Sequence, residues 1–152
     1  MSGADFRAAT VDDLPAIVAL LADDALGSGR EDASLPLDRR YGAAFENMAA
    51  DPNQLLLVAV ADETVVGCLQ LTFIPGLSRL GMWRGQIESV RIADGQRGSG
   101  LGRRMIEHAI GLCRERGCGL VQLTSDKSRA DAIRFYEQLG FQPSHEGMKL
   151  SL

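Results

Sequence analysis

The segment Arg97-Gly98-Ser99-Gly100-Leu101-Gly102 separates a stretch of strand character from one of helical periodicity. Glycines in such a turn let the backbone approach a ligand closely. The helix start beyond it presents unpaired N–H groups at the positive end of a dipole. Together these features describe a pyrophosphate cradle, to which Arg97 and Arg103 add positive charge. Three phosphate-binding patterns compete for the segment. A Walker A loop must end in Gly-Lys-Ser/Thr, which does not occur here. A dinucleotide fingerprint GxGxxG beginning at Gly98 needs glycine at position 103, where Arg103 stands. The third pattern, Arg/Gln-x-x-Gly-x-Gly/Ala, is met by Arg97, Gly100 and Gly102. A purely structural strand-to-helix turn is the other reading of these residues, so the surroundings decide.

Before the loop, Gln86 to Ile92 alternates as a strand, which puts Glu88, Val90 and Ile92 on one face. After it, Leu101, Met105, Ile106, Ala109, Ile110, Leu112 and Cys113 recur at helical intervals. Gly117 and Gly119 end that helix, and Leu120 to Thr124 reads as the next strand. Upstream, Phe6 to Ala9 predicts a short strand, and Thr10-Val11-Asp12-Asp13 a hydroxyl cap with an acid three residues on, opening a helix. Asp23 to Leu37 reads as a loop, Asp38 to Ala50 as a helix halted before Pro52, and Leu55 to Phe73 as a buried hairpin turning at Asp62-Glu63. Downstream, Ala130 to Leu139 predicts a helix closed by Gly140, and Met148 to Leu152 a last strand. Antiparallel strands followed by a strand–helix–strand unit make an α+β fold, a mixed α/β sandwich, in one domain over 1–152.

A formal charge of −4 argues against a general nucleic-acid binder, which needs a basic face. Apolar residues at 45% and charged residues at 24% are the balance of a soluble protein. No apolar run reaches membrane-spanning length, and the start of the chain lacks a signal-peptide core, so the expectation is a cytoplasmic protein. Cys68, Cys113 and Cys118 lack CxxC spacing, and His108 and His145 are the only histidines. The cysteines read as reduced core fillers, and no metal site is expected.

Three segments in order resemble the GNAT superfamily of acetyl-CoA-dependent N-acetyltransferases. They are Ile87-Glu88-Ser89-Val90-Arg91-Ile92, the glycine loop with its helix, and Ala132-Ile133-Arg134-Phe135-Tyr136-Glu137-Gln138-Leu139-Gly140-Phe141. The resemblance covers nearly the whole chain. It implies an acyl-CoA N-acyltransferase fold, with a central mixed, mostly antiparallel sheet flanked by helices, in which the Glu88 strand and the Leu120–Thr124 strand splay apart. Acetyl-CoA is the implied co-substrate. By this resemblance the backbone of Val90, Arg91 and Ile92 would pair with pantetheine, and the amides of Arg97, Gly98, Ser99, Gly100, Leu101, Gly102 and Arg103 would hold the pyrophosphate. Tyr136 would direct its hydroxyl at the coenzyme sulfur. Many members carry asparagine where this chain has Arg129, preceded by Ser128, and either residue could replace that contact. The run Asp131 through His145 is also similar to aminoalkylphosphonate N-acetyltransferases, as a subfamily hint. Family habit points to a homodimer, although no stretch of the sequence marks an interface.

Acetyl transfer to an amine with a pKa near ~10 requires loss of a proton, stabilisation of a developing oxyanion and protonation of the leaving thiolate. Glu88 is the candidate base, directly or through water, and the Val90 N–H the natural oxyanion donor; a surface acid paired with an arginine is the other reading of Glu88. Tyr136 is the candidate acid, or a packed aromatic. Cys68 lies on the predicted hairpin without an adjacent base, which favours direct attack in a ternary complex. Ser144-His145-Glu146 is no triad, since triad partners converge in space, and reads as a loop end. Asp23, Asp24, Glu31, Asp32 and Asp38 favour a cationic amine, whereas Arg79, Arg84, Lys127 and Arg129 suit an anionic group on the acceptor. The leading expectation is a small-molecule amine acceptor. A protein or peptide acetyltransferase and a non-catalytic acetyl-CoA-binding regulatory module are the alternatives.

Overall fold

A computed structural model describes residues 3–152. Five strands form one sheet in the order β1-β2-β3-β4-β5: β1 (Asp5–Ala8), β2 (Gln54–Ala61), β3 (Thr64–Ile74), β4 (Trp83–Ile92) and β5 (Cys118–Leu123). The first four are antiparallel neighbours, and β4 and β5 run parallel. A parallel pair needs a crossover, supplied here by a helix, α3 (Leu101–Glu115). The other helices are α1 (Leu14–Ala22), α2 (Arg39–Ala49) and α4 (Ala130–Gln138).

The hairpin turn works without glycine because Asp62 and Glu63 both adopt positive φ, 50° and 62°, as a two-residue turn between twisted strands requires. The expected capping box closes the 3-10 turn Val11–Asp13 that leads into α1, with the Thr10 N–H donating to Asp13 Oδ2 at 2.7 Å. Arg7 grips the same carboxylate at 2.7 Å, and that hydrogen bond, with the Thr10 contacts, holds the Asp13 carboxyl at about 2.

The sheet is covered on both faces. On one, Ile17 of α1 packs on Val58 and Cys68. On the other, Leu101, Met105, Ile106 and Ala109 of α3 pack on Leu57, Leu69, Leu71 and Ile87. Phe135 and Tyr136 of α4 join this second cluster.

Two sequence expectations are corrected. The strand Gln86–Ile92 is not evenly alternating: Cys68 faces Arg91 but Gln70 faces Glu88, so Ser89 and Val90 together oppose Leu69. This is a β-bulge, with Ser89 at φ 56°. The extra residue resets the alternation. Ile87, Val90 and Ile92 share the α3 face, while Glu88 and Arg91 lie on the α1 face opposite Gln70 and Cys68. Glu88 therefore does not share a face with Val90 and Ile92. The second correction concerns Met148 to Leu152, which forms no strand. Its apolar side chains meet no sheet and stay exposed.

Candidate active site

The bulge shapes the site. Pairing between β4 and β5 ends at Ile87 opposite Leu123, so Glu88 to Ile92 run on without a β5 neighbour. The two strands part there, as the splay expectation required. A cleft of ≈ 310 Å³ opens beside this free stretch. Val90, Arg91 and Ile92 of β4 line it together with the C-terminal end of α1, Asp23 and Asp24, and with Arg97 and Arg129.

Arg97 introduces the glycine loop. Gly98 and Gly100 take φ of 79° and 84°, which a side chain would strain, and Gly100 caps α3. Not every amide of the loop is free. The Arg97 N–H donates to Asp94 O at 3.2 Å and the Ser99 N–H to Gln96 O at 3.2 Å. The Leu101 N–H donates to Ser99 Oγ at 3.3 Å, and the Leu101 side chain is wholly buried in the core. Gly102 and Arg103, in the first turn of α3, keep N–H groups with no intrahelical acceptor. Arg97 and Arg103 hold only surface partners, Asp94 at 2.8 Å and Glu107 at 2.9 Å. Exposed pairs of this kind are weak enough to exchange for phosphate.

The inner wall is organised by a residue that the sequence presented only as part of an acidic loop. Asp24 accepts from Arg129 Nη2 at 2.7 Å, pairs with Arg91 Nε at 3.2 Å and accepts from the Gly27 N–H. Burial pushes the Asp24 carboxyl up, but Gly27, Arg129 and Arg91 outweigh it and the net shift is downward. Arg91 is nearly buried, with 13% of its side chain exposed. Its Nη1 donates to Val90 O at 2.9 Å. Its Nε, although close to Asp24, has no well-directed hydrogen bond, so that contact is an ion pair of poor direction.

Tyr136 is half-buried against the α3-face cluster and does not itself line the cleft; it lies edge-on to Phe135 at 5.2 Å and to Phe141 at 5.8 Å. Burial pushes its phenol up, against the opposing charges of Arg129 and Arg91. It is therefore protonated at neutral pH and can donate. Glu88 is exposed on the α1 face, outside the cleft wall. Ser128 is exposed too; its hydroxyl donates to Asp126 Oδ1 at 2.6 Å, and Arg129 rather than Ser128 lines the cleft.

Several acids of the lip have local partners. Asp38 caps α2 and pairs with Arg40 at 2.8 Å, Glu31 accepts from Tyr41 Oη at 2.9 Å, and Asp32 accepts from Ser34. Cys68 is buried on β3, and burial pushes its thiol up to about 12, which leaves no thiolate for nucleophilic attack. His145 is exposed, with Nδ1 2.7 Å from Ser144 Oγ, and does not reach the cleft. His108 stacks on Phe6 at 4.9 Å. Among the described residues no group of His, Cys, Asp and Glu side chains could hold a metal, and no helix is long and apolar enough to cross a membrane.

The profile described as Acetyltransferase (GNAT) family matches residues 16–141. The chain belongs to the GNAT family. Within this GNAT chain the matched span takes in the cleft, the glycine loop and α4. Two curated relatives are the glucosamine 6-phosphate N-acetyltransferase of Trypanosoma brucei brucei and the streptothricin acetyltransferase of Streptomyces lavendulae. The first is 35% identical over 58% of this chain, the second 33% over 84%. The matched part spans 58% of the length of each. The aminoalkylphosphonate N-acetyltransferase of Salmonella typhimurium is 28% identical over 93% of this chain and 86% of its own. A crystal structure from Bacillus halodurans C-125, named a transcriptional regulator, is 48% identical, covers 98% of this chain and 99% of its own, and superposes with a TM-score of 0.96. Fold and family are those of acetyl-transferring enzymes.

Proposed function

We propose that this GNAT chain transfers an acetyl group from acetyl-CoA to the primary amine of a small molecule, by direct attack in a ternary complex. The observation that carries the reading is the gap opened by the Ser89 bulge. It leaves the backbone of Val90 to Ile92 paired with β3 alone and without a neighbour on the β5 side, beside a cleft whose lining includes Arg97 at the head of the glycine loop. An extended pantetheine arm fits such an edge, because its amides can take the place of a strand, with the pyrophosphate at Gly102 and Arg103.

The bulge also divides the chemistry between two faces. Glu88 stands on the α1 face and Tyr136 packs with the α3 face. An amine arriving from the α1 side meets Glu88, which takes its proton through water. The leaving sulfur meets Tyr136, whose hydroxyl supplies the proton. Val90 N–H donates to the carbonyl oxygen as charge develops on it. Arg91, Arg97 and Arg129 outnumber Asp23 and Asp24 in the cleft lining, which favours bound groups that carry negative charge. Two curated relatives are named for amines joined to phosphorus oxyanions, which supports the same class.

Direct attack requires both substrates to be bound together. Initial rates should give intersecting double-reciprocal lines, and Cys68→Ala should keep its turnover. Parallel lines together with an inactive Cys68→Ala would replace direct attack by a covalent route. A second reading, a non-catalytic acetyl-CoA-binding module, is favoured by the name of the 48% identical Bacillus halodurans protein. It requires coenzyme binding without release of thiol in the presence of any amine.

A further inference from the structure

The α1 face of the sheet is only partly covered. Ile17 of α1 packs on Val58 and Cys68, but the face continues past them along β3 and β4. There Leu69, Leu71, Phe73 and Ile87 point to the α3 side and are buried. Between them Gln70, Thr72, Arg84 and Gln86 are half-buried, and Glu88 is exposed. A face left to water alone tends to carry charged side chains. This one carries neutral hydrogen-bonding groups in register, because Gln54, Thr72, Gln86 and Gln122 are successive partners across β2, β3, β4 and β5.

The row is bonded internally and still leaves capacity for a ligand. Gln54 Oε1 accepts from Gln70 Nε2 and from Thr72 Oγ1, both at 3.0 Å. Gln86 Oε1 accepts from Gln122 Nε2 at 3.0 Å, and Gln122 Oε1 accepts from Arg84 Nη1 at 3.3 Å. These bonds use neither Gln70 Oε1, an acceptor, nor Gln86 Nε2, a donor. Both residues adjoin Glu88: Gln70 is its partner on β3, and Gln86 precedes it on the same face of β4. At the other end stands Arg84, outside the lining of the cleft. Its partner Gln122 is neutral and does not cancel its charge.

Along β4 the face therefore reads carboxylate, amide, guanidinium, with Glu88, Gln86 and Arg84 in line. Their α-carbons span roughly 13 Å at the rise of an extended strand. We infer that this face is the acceptor subsite. The amine lies at Glu88, hydroxyl groups in the middle of the acceptor meet Gln70 and Gln86, and an anionic group at its far end pairs with Arg84. Resting on the transfer proposed above, this subsite adds a requirement of length. An amine and an anion joined by a short ethyl chain cannot reach both ends, whereas a chain of about six carbons can.

Calorimetry on the CoA-saturated protein tests the subsite apart from the chemistry. The probes are aminoethyl phosphate, aminohexyl phosphate, aminohexanol and glucamine phosphate, the last a hexyl chain with hydroxyl groups between its amine and its phosphate. Glucamine phosphate should bind tightest, and aminohexyl phosphate about tenfold tighter than aminoethyl phosphate or aminohexanol. Arg84→Gln should remove the advantage of the phosphate, and Arg84→Lys should restore part of it. Gln86→Leu should remove the advantage of glucamine phosphate over aminohexyl phosphate. Equal affinities for the short and long phosphates overturn the assignment, as does an Arg84→Gln protein that still prefers the phosphate, or a wild-type protein that binds none of the four. Binding in the expected order without thiol release from acetyl-CoA would keep the subsite and remove the transfer; thiol release without that order would do the reverse.

Discussion

Tyr136→Phe should lower turnover by about 10²-fold while leaving acetyl-CoA affinity unchanged, the loss typical of a removed general acid. The substitution keeps the ring, and with it the edge-on contacts to Phe135 and Phe141 and the packing of α4 on the sheet. Only the hydroxyl goes. A tyrosine hydroxyl carries its proton at neutral pH, and burial pushes this one further in the same direction. A thiolate that leaves without a donor must be expelled as the anion, and the cost falls on kcat rather than on binding. Single-turnover rates with calorimetric affinities check this. Unchanged turnover would make Tyr136 a packed aromatic and nothing more.

The second large effect is expected at Gly27, which does not line the cleft but donates to Asp24 in its wall. A Cβ there would run into Leu21 O and stand 2.8 Å from Asp24 Oδ1. The loop after α1 must then shift, and the Gly27 N–H loses its carboxylate acceptor. Overpacking combined with the loss of a hydrogen bond to a charged group should cost about 3 kcal/mol in Gly27→Ala, a fall in Tm of roughly 6–12 °C for a chain of this size. Function should fall as well, because Asp24 is what Arg91 and Arg129 hold across the cleft. Gly29→Ala is the control: a methyl there meets open space. Thermal melts of the two variants decide the matter, and equal Tm values would mean that the loop yields without cost.

The two effects differ in how far the sequence announced them. Tyr136 sits in a contiguous motif on a helix whose periodicity and closing Gly140 are local signals, and the structure keeps that helix. The glycine loop was legible for the same reason, since Gly100 starts α3 and Gly117, at φ 79°, follows its end. The Asp24 clamp was not. Its partner Arg129 lies 105 residues away, and a charge pair at that separation leaves no periodic trace. Ser128, by contrast, is engaged locally: its hydroxyl donates to Asp126, two residues earlier. Alternation misled in two places. At Ser89 a non-glycine residue adopts positive φ and resets the faces of β4, which a period-two reading cannot register. In the tail the period is genuine, but a strand exists only where a neighbour supplies its hydrogen bonds, and Met148–Leu152 pairs with none.

The measurement that bears most directly on the account is release of free thiol from acetyl-CoA against a panel of polyamines, amino acids, aminoglycosides, aminoalkylphosphonates, amino-sugar phosphates and short peptides. The account predicts release with small amines, strongest with those that carry an anionic group, and lost in Glu88→Gln. Measurable binding of acetyl-CoA with no release in the presence of any amine would contradict it and leave a coenzyme-binding module on an acetyltransferase fold.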